Sequence, residues 1–159
     1  MANRVFAGQE EGMASIAWIE KVPSFAQKVL EVLKVDKEEL SVFFCSDAYI
    51  RDLNKTYRDV DESTDVLSFE DGGKYTDESG EWLEAGDVTI SVETLKKNAE
   101  NFNTSENEEL KRLLIHGILH LNGYDHGGET LEAGKEPQGE MLTLQENLMK
   151  QLSDEVVIG

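Results

Sequence analysis

The chain has 159 residues, 39% of them hydrophobic and 30% charged, which is the size and balance of one folded domain and excludes a disordered chain. No stretch nears the ~18 apolar residues of a membrane span, the first twenty residues hold no apolar signal segment, and the lone Cys45 can form no internal disulfide. Membrane insertion and secretion are therefore excluded as default readings, and a reducing cytoplasm is expected. Fifteen basic against 33 acidic residues give a net charge of −18, which argues against nucleic-acid adhesion over the whole surface but not against a local basic cleft.

Residues 1–22 are weakly patterned, and residues 15–19 predict a short strand. Pro23, Ser24 and Gln27 signal a helix start, with Phe25, Val29, Val32 and Leu33 as its apolar face to about residue 35. Residues 40–45 are β-branched and aromatic and predict a strand ending in Cys45, a small buried hydrophobe. Ser46 then caps a helix over residues 47–57. On it Arg51, Lys55 and Arg58 stand at i, i+4 and i+7, a basic stripe in an acidic chain. For Arg51 and Lys55 a solvated face paired with Asp47, Asp52 or Asp59 competes with a track for a nucleic-acid backbone. Arg58 differs because it closes the helix just before residues 64–69, TDVLSF, which predict a buried strand anchored by Thr64 or Asp65. Residues 71–86 are polar and glycine-rich and predict a long hairpin loop or flap. Residues 86–91 predict a further strand, and Ser91 a cap for a helix over 92–101.

The densest signal follows. Ser105 and Glu108 form a capping box, and Leu110, Leu113, Leu114 and Leu121 give the stripe of a helix that Asn122 and Gly123 end. All three histidines, His116, His120 and His126, fall in the run HGILHLNGYDH. His116 and His120 share one helix face, and the reversal at Gly123 can carry His126 back toward them. Three neutral nitrogen ligands with a fourth position left for water is the pattern of a catalytic zinc site, whereas a structural zinc would want four protein ligands. The spacing H-x-x-x-H-x-x-G-x-x-H is also the zincin-like frame of metzincin proteases, but their general base, the glutamate after the first histidine, is Gly117 here. Peptide hydrolysis is disfavoured, metal-activated water chemistry remains open, and Gly117 is expected to serve close packing. Asp125 is placed to orient His126. Residues 127–139 predict a glycine-rich loop, and Met141, Leu144, Leu148, Met149 and Leu152 an amphipathic C-terminal helix. The whole, residues 1–159, is expected to be a single α+β domain with a small mixed sheet packed by helices.

Five segments, LNKTYR, TDVLSF, GDVTIS, HGILHLNGYDH and the run from Glu140 to Glu146, resemble the YbeY family in order and content. That family comprises bacterial rRNA maturation factors described as single-strand-specific endoribonucleases. The resemblance covers residues 38 to 150. It implies one zinc ion per chain on His116, His120 and His126, with nickel or another transition metal as the other choice. It also implies an active-site arginine at Arg58, single-stranded rRNA as substrate, and the small ribosomal subunit or its proteins as partners. Arg51 and Lys55 would contact the RNA backbone. Two departures stand out: the proline that usually follows LSF is Glu70 here, and the next loop is richer in acid and glycine. The competing readings are a metal-dependent hydrolase of another substrate, such as a peptidase, and a ribosome-assembly protein with a structural metal.

Overall fold

The computed structural model describes residues 2–125, 137 and 139–159. Its elements in chain order are β1 (Arg4–Gln9), α1 (Val22–Val32), β2 (Glu38–Cys45), α2 (Asp47–Arg58), β3 (Val66–Asp77), β4 (Gly80–Ser91), α3 (Val92–Asn101), α4 (Glu106–Leu121) and α5 (Glu140–Gln151). The strands form one sheet in the order β1-β2-β4-β3. β1 and β4 both run parallel to β2, while β3 and β4 are an antiparallel hairpin at the opposite edge from β1. The expected α+β architecture with a small mixed sheet is the one observed.

The helix caps follow the sequence closely. Ser46, Ser91 and Ser105 each accept a hydrogen bond from the backbone N–H three residues on, opening α2, α3 and α4. Gly123 takes φ +90° just after α4, as a helix stop requires. Strand alternation then sorts the sheet's faces. Val42 and Phe44 of β2, with Val88 and Ile90 of β4, join the core packed by α1 and α4, while Phe43 on the other face meets Tyr49 of α2. α4 is buried almost all round: Leu110, Leu114, Ile115, Ile118 and Leu119 have no exposed surface. α4 is enclosed by the sheet, α1, α3 and α5, and its buried polar residues Glu109 and Lys111 are paired with Arg112 and Glu108.

Two expectations are corrected. Residues 15–19 are not a strand but a turn leading into one turn of 3-10 helix (Ile19–Lys21). The Gln9 side chain bonds the backbones of Ala14 and Ile16 there, and Trp18 sits edge-on to Phe44 at 5.0 Å. The N-terminal strand is β1 instead, a half-buried edge strand with no strong alternation to announce it. Residues 71–86 are likewise no loop, because β3 and β4 continue until only Glu78 and Ser79 separate them. Local polarity misleads here, since the ribbon is held by contacts along and across it. Tyr75 stacks on Trp82 at 6.4 Å, Arg4 of β1 lies 3.9 Å from the Trp82 ring centroid, and the same arginine pairs with Asp77 at 2.8 Å.

The ribbon carries an irregularity in β4, where the register shifts against both neighbours around Ala85. Gly86 there has φ +137°, and a Cβ would lie 2.0 Å from the carbonyl oxygen of Phe69. Both the conformation and the contact require glycine. Gly86→Ala should therefore cost on the order of 2 kcal/mol or more, read as a lower urea midpoint. A variant as stable as the native chain would contradict this geometry.

Candidate active site

The site begins with how closely α4 approaches the sheet. Gly117 lies directly on Val88 of β4, and a Cβ there would sit 2.6 Å from one Val88 methyl and 2.9 Å from the other. The packing role expected of Gly117 is what the structure shows. The approach brings the next residues on the same helix to the β3 edge. His116 and His120, one turn apart, have ring centroids 4.8 Å from each other.

Both imidazoles line a cavity of about 480 Å³ together with Asp65, Val66, Ser68, Glu70 and Arg58. Asp65 is the anchor at the start of β3: its Oδ1 accepts from the Val66 N–H at 2.8 Å. Arg58 arrives from the end of α2, which stops as Asp59 turns left-handed at φ +58°. The following loop is tied back by buried Asn54, whose amide donates to the carbonyl of Glu62 at 2.9 Å. The Arg58 guanidinium donates to the Ser68 carbonyl at 2.5 Å and lies 5.4 Å from the Phe69 ring centroid. Among the described residues that line the cavity, Arg58 is the one cation. Its neighbours are a carbonyl and a ring face, so its charge faces the cavity uncancelled by an ion pair among the described residues.

The other predicted residues fare differently. His126 lies outside the described residues, as do nearly all of residues 127–139, expected as a glycine-rich loop; Asp125, the expected orienting partner of His126, is described and exposed. Arg51 and Lys55 lie on α2 away from the cavity lining. Arg51 is paired, with Asp61 at 2.8 Å and not with Asp47, Asp52 or Asp59. Asp47 instead joins α2 to α3, accepting from Ser91 and Thr94 at 2.5 Å each. Cys45 is fully buried, and burial pushes its thiol up to about 12, the behaviour of a core residue.

Behind the histidines runs a polar network with no counterpart in the expectations. Gln145 of α5, 1% exposed, meets His116 Nδ1 through its Oε1 at 2.7 Å. Its amide nitrogen donates to Glu146 Oε2 at 3.1 Å, and Arg112 of α4 grips both Glu146 oxygens at 3.0 Å. Burial raises the Glu146 carboxyl, but the bonds from Arg112 and Gln145 outweigh it and hold the group below its ordinary range. On the far side of Arg112, burial pushes Glu109 upward, and Asn98 bridges it to Asp65 of the cavity. The sequence carried two signals for Gln145 but no role: it is a polar residue inside an apolar stripe, between Met141 and Leu148, and it falls in the run from Glu140 to Glu146.

The chain matches known proteins over most of its length. The profile of the endoribonuclease YbeY family matches residues 7–153. The chain belongs to that family. An endoribonuclease YbeY of Treponema denticola is 51% identical over 132 residues, covering 82% of this chain and 81% of that protein. One from Aquifex aeolicus is 43% identical over 126 residues, covering 78% and 81%. Among solved structures, the solution structure of a Thermotoga maritima protein superposes with a TM-score of 0.60 at 25% identity. It covers 96% of this chain and 91% of that one. Segments that carry the resemblance line the cavity: LNKTYR ends in Arg58, TDVLSF supplies the Asp65–Ser68 wall, and the histidine run supplies His116 and His120.

The Gly117 contact is open to test. Alanine gains about 1 kcal/mol of helix propensity over glycine, but overpacking costs about 1–3 kcal/mol, so Gly117→Ala should be net destabilising. Val88→Ala in the same chain should relieve the clash, making the pair cost less than the two single changes added. Strict additivity in urea unfolding would refute the contact.

Proposed function

We propose that the chain is a metal-dependent, single-strand-specific endoribonuclease acting in rRNA maturation. The observation that supports it most is the shared cavity, in which two imidazoles one helical turn apart stand with a guanidinium that has no carboxylate partner among the described residues. The donor set fits a transition metal: neutral imidazoles suit zinc or nickel, and the one cysteine is buried elsewhere. His116 and His120, with His126 as the third ligand the motif supplies, would hold one such ion per chain. When bound, the ion supplies Lewis-acid polarisation at a phosphoryl oxygen. Arg58 would offer the scissile phosphate two parallel, permanently charged hydrogen bonds. Its present bond to the Ser68 carbonyl holds the guanidinium at the cavity for that contact.

The substrate would be single-stranded rRNA, with the small ribosomal subunit or its proteins as partners and the cytoplasm as the setting. No described helix is long and apolar enough to cross a membrane. Arg51 and Lys55 would extend the contact along α2 as backbone-binding residues, with Asp61 competing for Arg51. Peptide hydrolysis finds no support at the position where proteases carry their base. Gly117 has no carboxylate, and Val88 leaves no room for one.

Two measurements test this reading. His120→Ala should abolish stoichiometric metal by elemental analysis while leaving the helix cap and the apolar stripe intact; full occupancy in that variant would sink the site assignment. Arg58→Ala should lose most single-turnover cleavage of single-stranded RNA at saturating enzyme while keeping its metal, and Arg58→Lys should recover only part of it. Wild-type cleavage by Arg58→Ala under saturation would remove Arg58 from the chemistry.

A further inference from the structure

We propose that Gln145 is a positioning residue that sets the tautomer of His116, and that the Arg112–Glu146 pair sets the orientation of Gln145. The inference rests on the metal-site reading above and extends it to a residue that contacts one of the ligating imidazoles.

Arg112 stays charged at any accessible pH, and its Nε and Nη2 bind the two Glu146 oxygens at 3.0 Å each. Glu146 is thereby fixed as an ionised, acceptor-only group. The Gln145 amide beside it has two faces to choose between. With its nitrogen toward Glu146 it donates to Oε2 at 3.1 Å; turned over, its oxygen would face a carboxylate oxygen with no hydrogen between them. The amide nitrogen is thus directed to Glu146 and the amide oxygen to His116.

An amide oxygen can only accept. The 2.7 Å contact from Gln145 Oε1 to His116 Nδ1 therefore places the hydrogen on Nδ1. In the neutral ring the lone pair then resides on Nε2. Unconstrained neutral imidazole side chains favour the other tautomer, with hydrogen on Nε2, which would put a hydrogen where a ligand lone pair is needed. Gln145 reverses that preference. Burial makes the device rigid: Gln145 is 1% exposed and contacts His116 from α5, an element other than the one that carries the ring. Such outer partners of a metal-ligating histidine fix its tautomer and ring orientation, and losing one weakens metal binding about 10- to 100-fold.

The test is two-bond 1H–15N correlation NMR of the full-length, metal-free chain at pH 8, joined to Zn2+ affinity from competition with a chromogenic chelator. In the native chain His116 should carry its hydrogen on Nδ1. Gln145→Met keeps the side chain's length and apolar packing but removes the acceptor; it should move the hydrogen to Nε2 and weaken Zn2+ binding about 10- to 100-fold. Exchanging the two residues, Gln145→Glu with Glu146→Gln, restores an acceptor at 145 and a donor at 146. That variant should return the hydrogen to Nδ1 and the affinity to within a few-fold of native. A hydrogen on Nε2 in the native chain overturns the proposal with no variant needed. So does Gln145→Met with unchanged tautomer and affinity, or the exchanged pair with the hydrogen on Nε2. A native chain with the hydrogen on Nδ1 but no affinity for Zn2+ overturns the metal-site reading and leaves the tautomer assignment standing. A merely structural Gln145 would shift thermal stability but not the nitrogen that carries the hydrogen.

Discussion

Everything at the candidate site depends on how close one helix can come to one strand. α4 lies on β4 through Gly117 against Val88, where not even a methyl group fits. That contact sets the depth of the helix in the fold, and therefore the height at which the neighbouring imidazoles meet the β3 edge. Glycine in a helix interior sacrifices about 1 kcal/mol of propensity. α4 tolerates this because the residues flanking Gly117, among them Leu114, Ile118 and Leu121, are packed in the core. The residue that proteases with the same histidine spacing use as a base is here spent on proximity.

The second feature is an economy of charge. A chain at −18 would repel a polyanion at most points of its surface. Its cavity nonetheless presents a guanidinium held by a carbonyl and an aromatic face. Arg51, seven residues earlier on the same helix, is matched by Asp61. The contrast is local: the left-handed turn at Asp59 and the Asn54 tether lead the chain directly into β3, so Arg58 is delivered to the strand edge while Arg51 stays beside the acidic loop.

The polar groups behind α4 form one satisfied chain from Asp65 through Asn98, Glu109, Arg112 and Glu146 to Gln145 and His116. Buried polar groups are costly unless every member finds a partner. Here the network joins the start of β3 to α3, α4 and α5, and its two ends, Asp65 and His116, both line the cavity.

Caps, stops and the histidine spacing were legible in the sequence because they are local: Ser46, Ser91, Ser105 and Gly123 act within a few residues of themselves, and a four-residue separation places His116 and His120 on one face wherever the helix goes. The packing role of Gly117 was legible for the same reason, since a glycine inside a strong helix asks for a neighbour. The ribbon over residues 71–86 was not, because its polar, glycine-rich stretch becomes strand only when Arg4, from the other end of the sheet, covers Trp82 and pairs with Asp77. The sequence did single out Arg58, by its place just before TDVLSF, but not that Asp61 would take Arg51. It gave no partner to Gln145 either, 29 residues from the imidazole it touches. Those outcomes rest on contacts between elements distant in the chain, and only tertiary packing brings such residues within reach of one another.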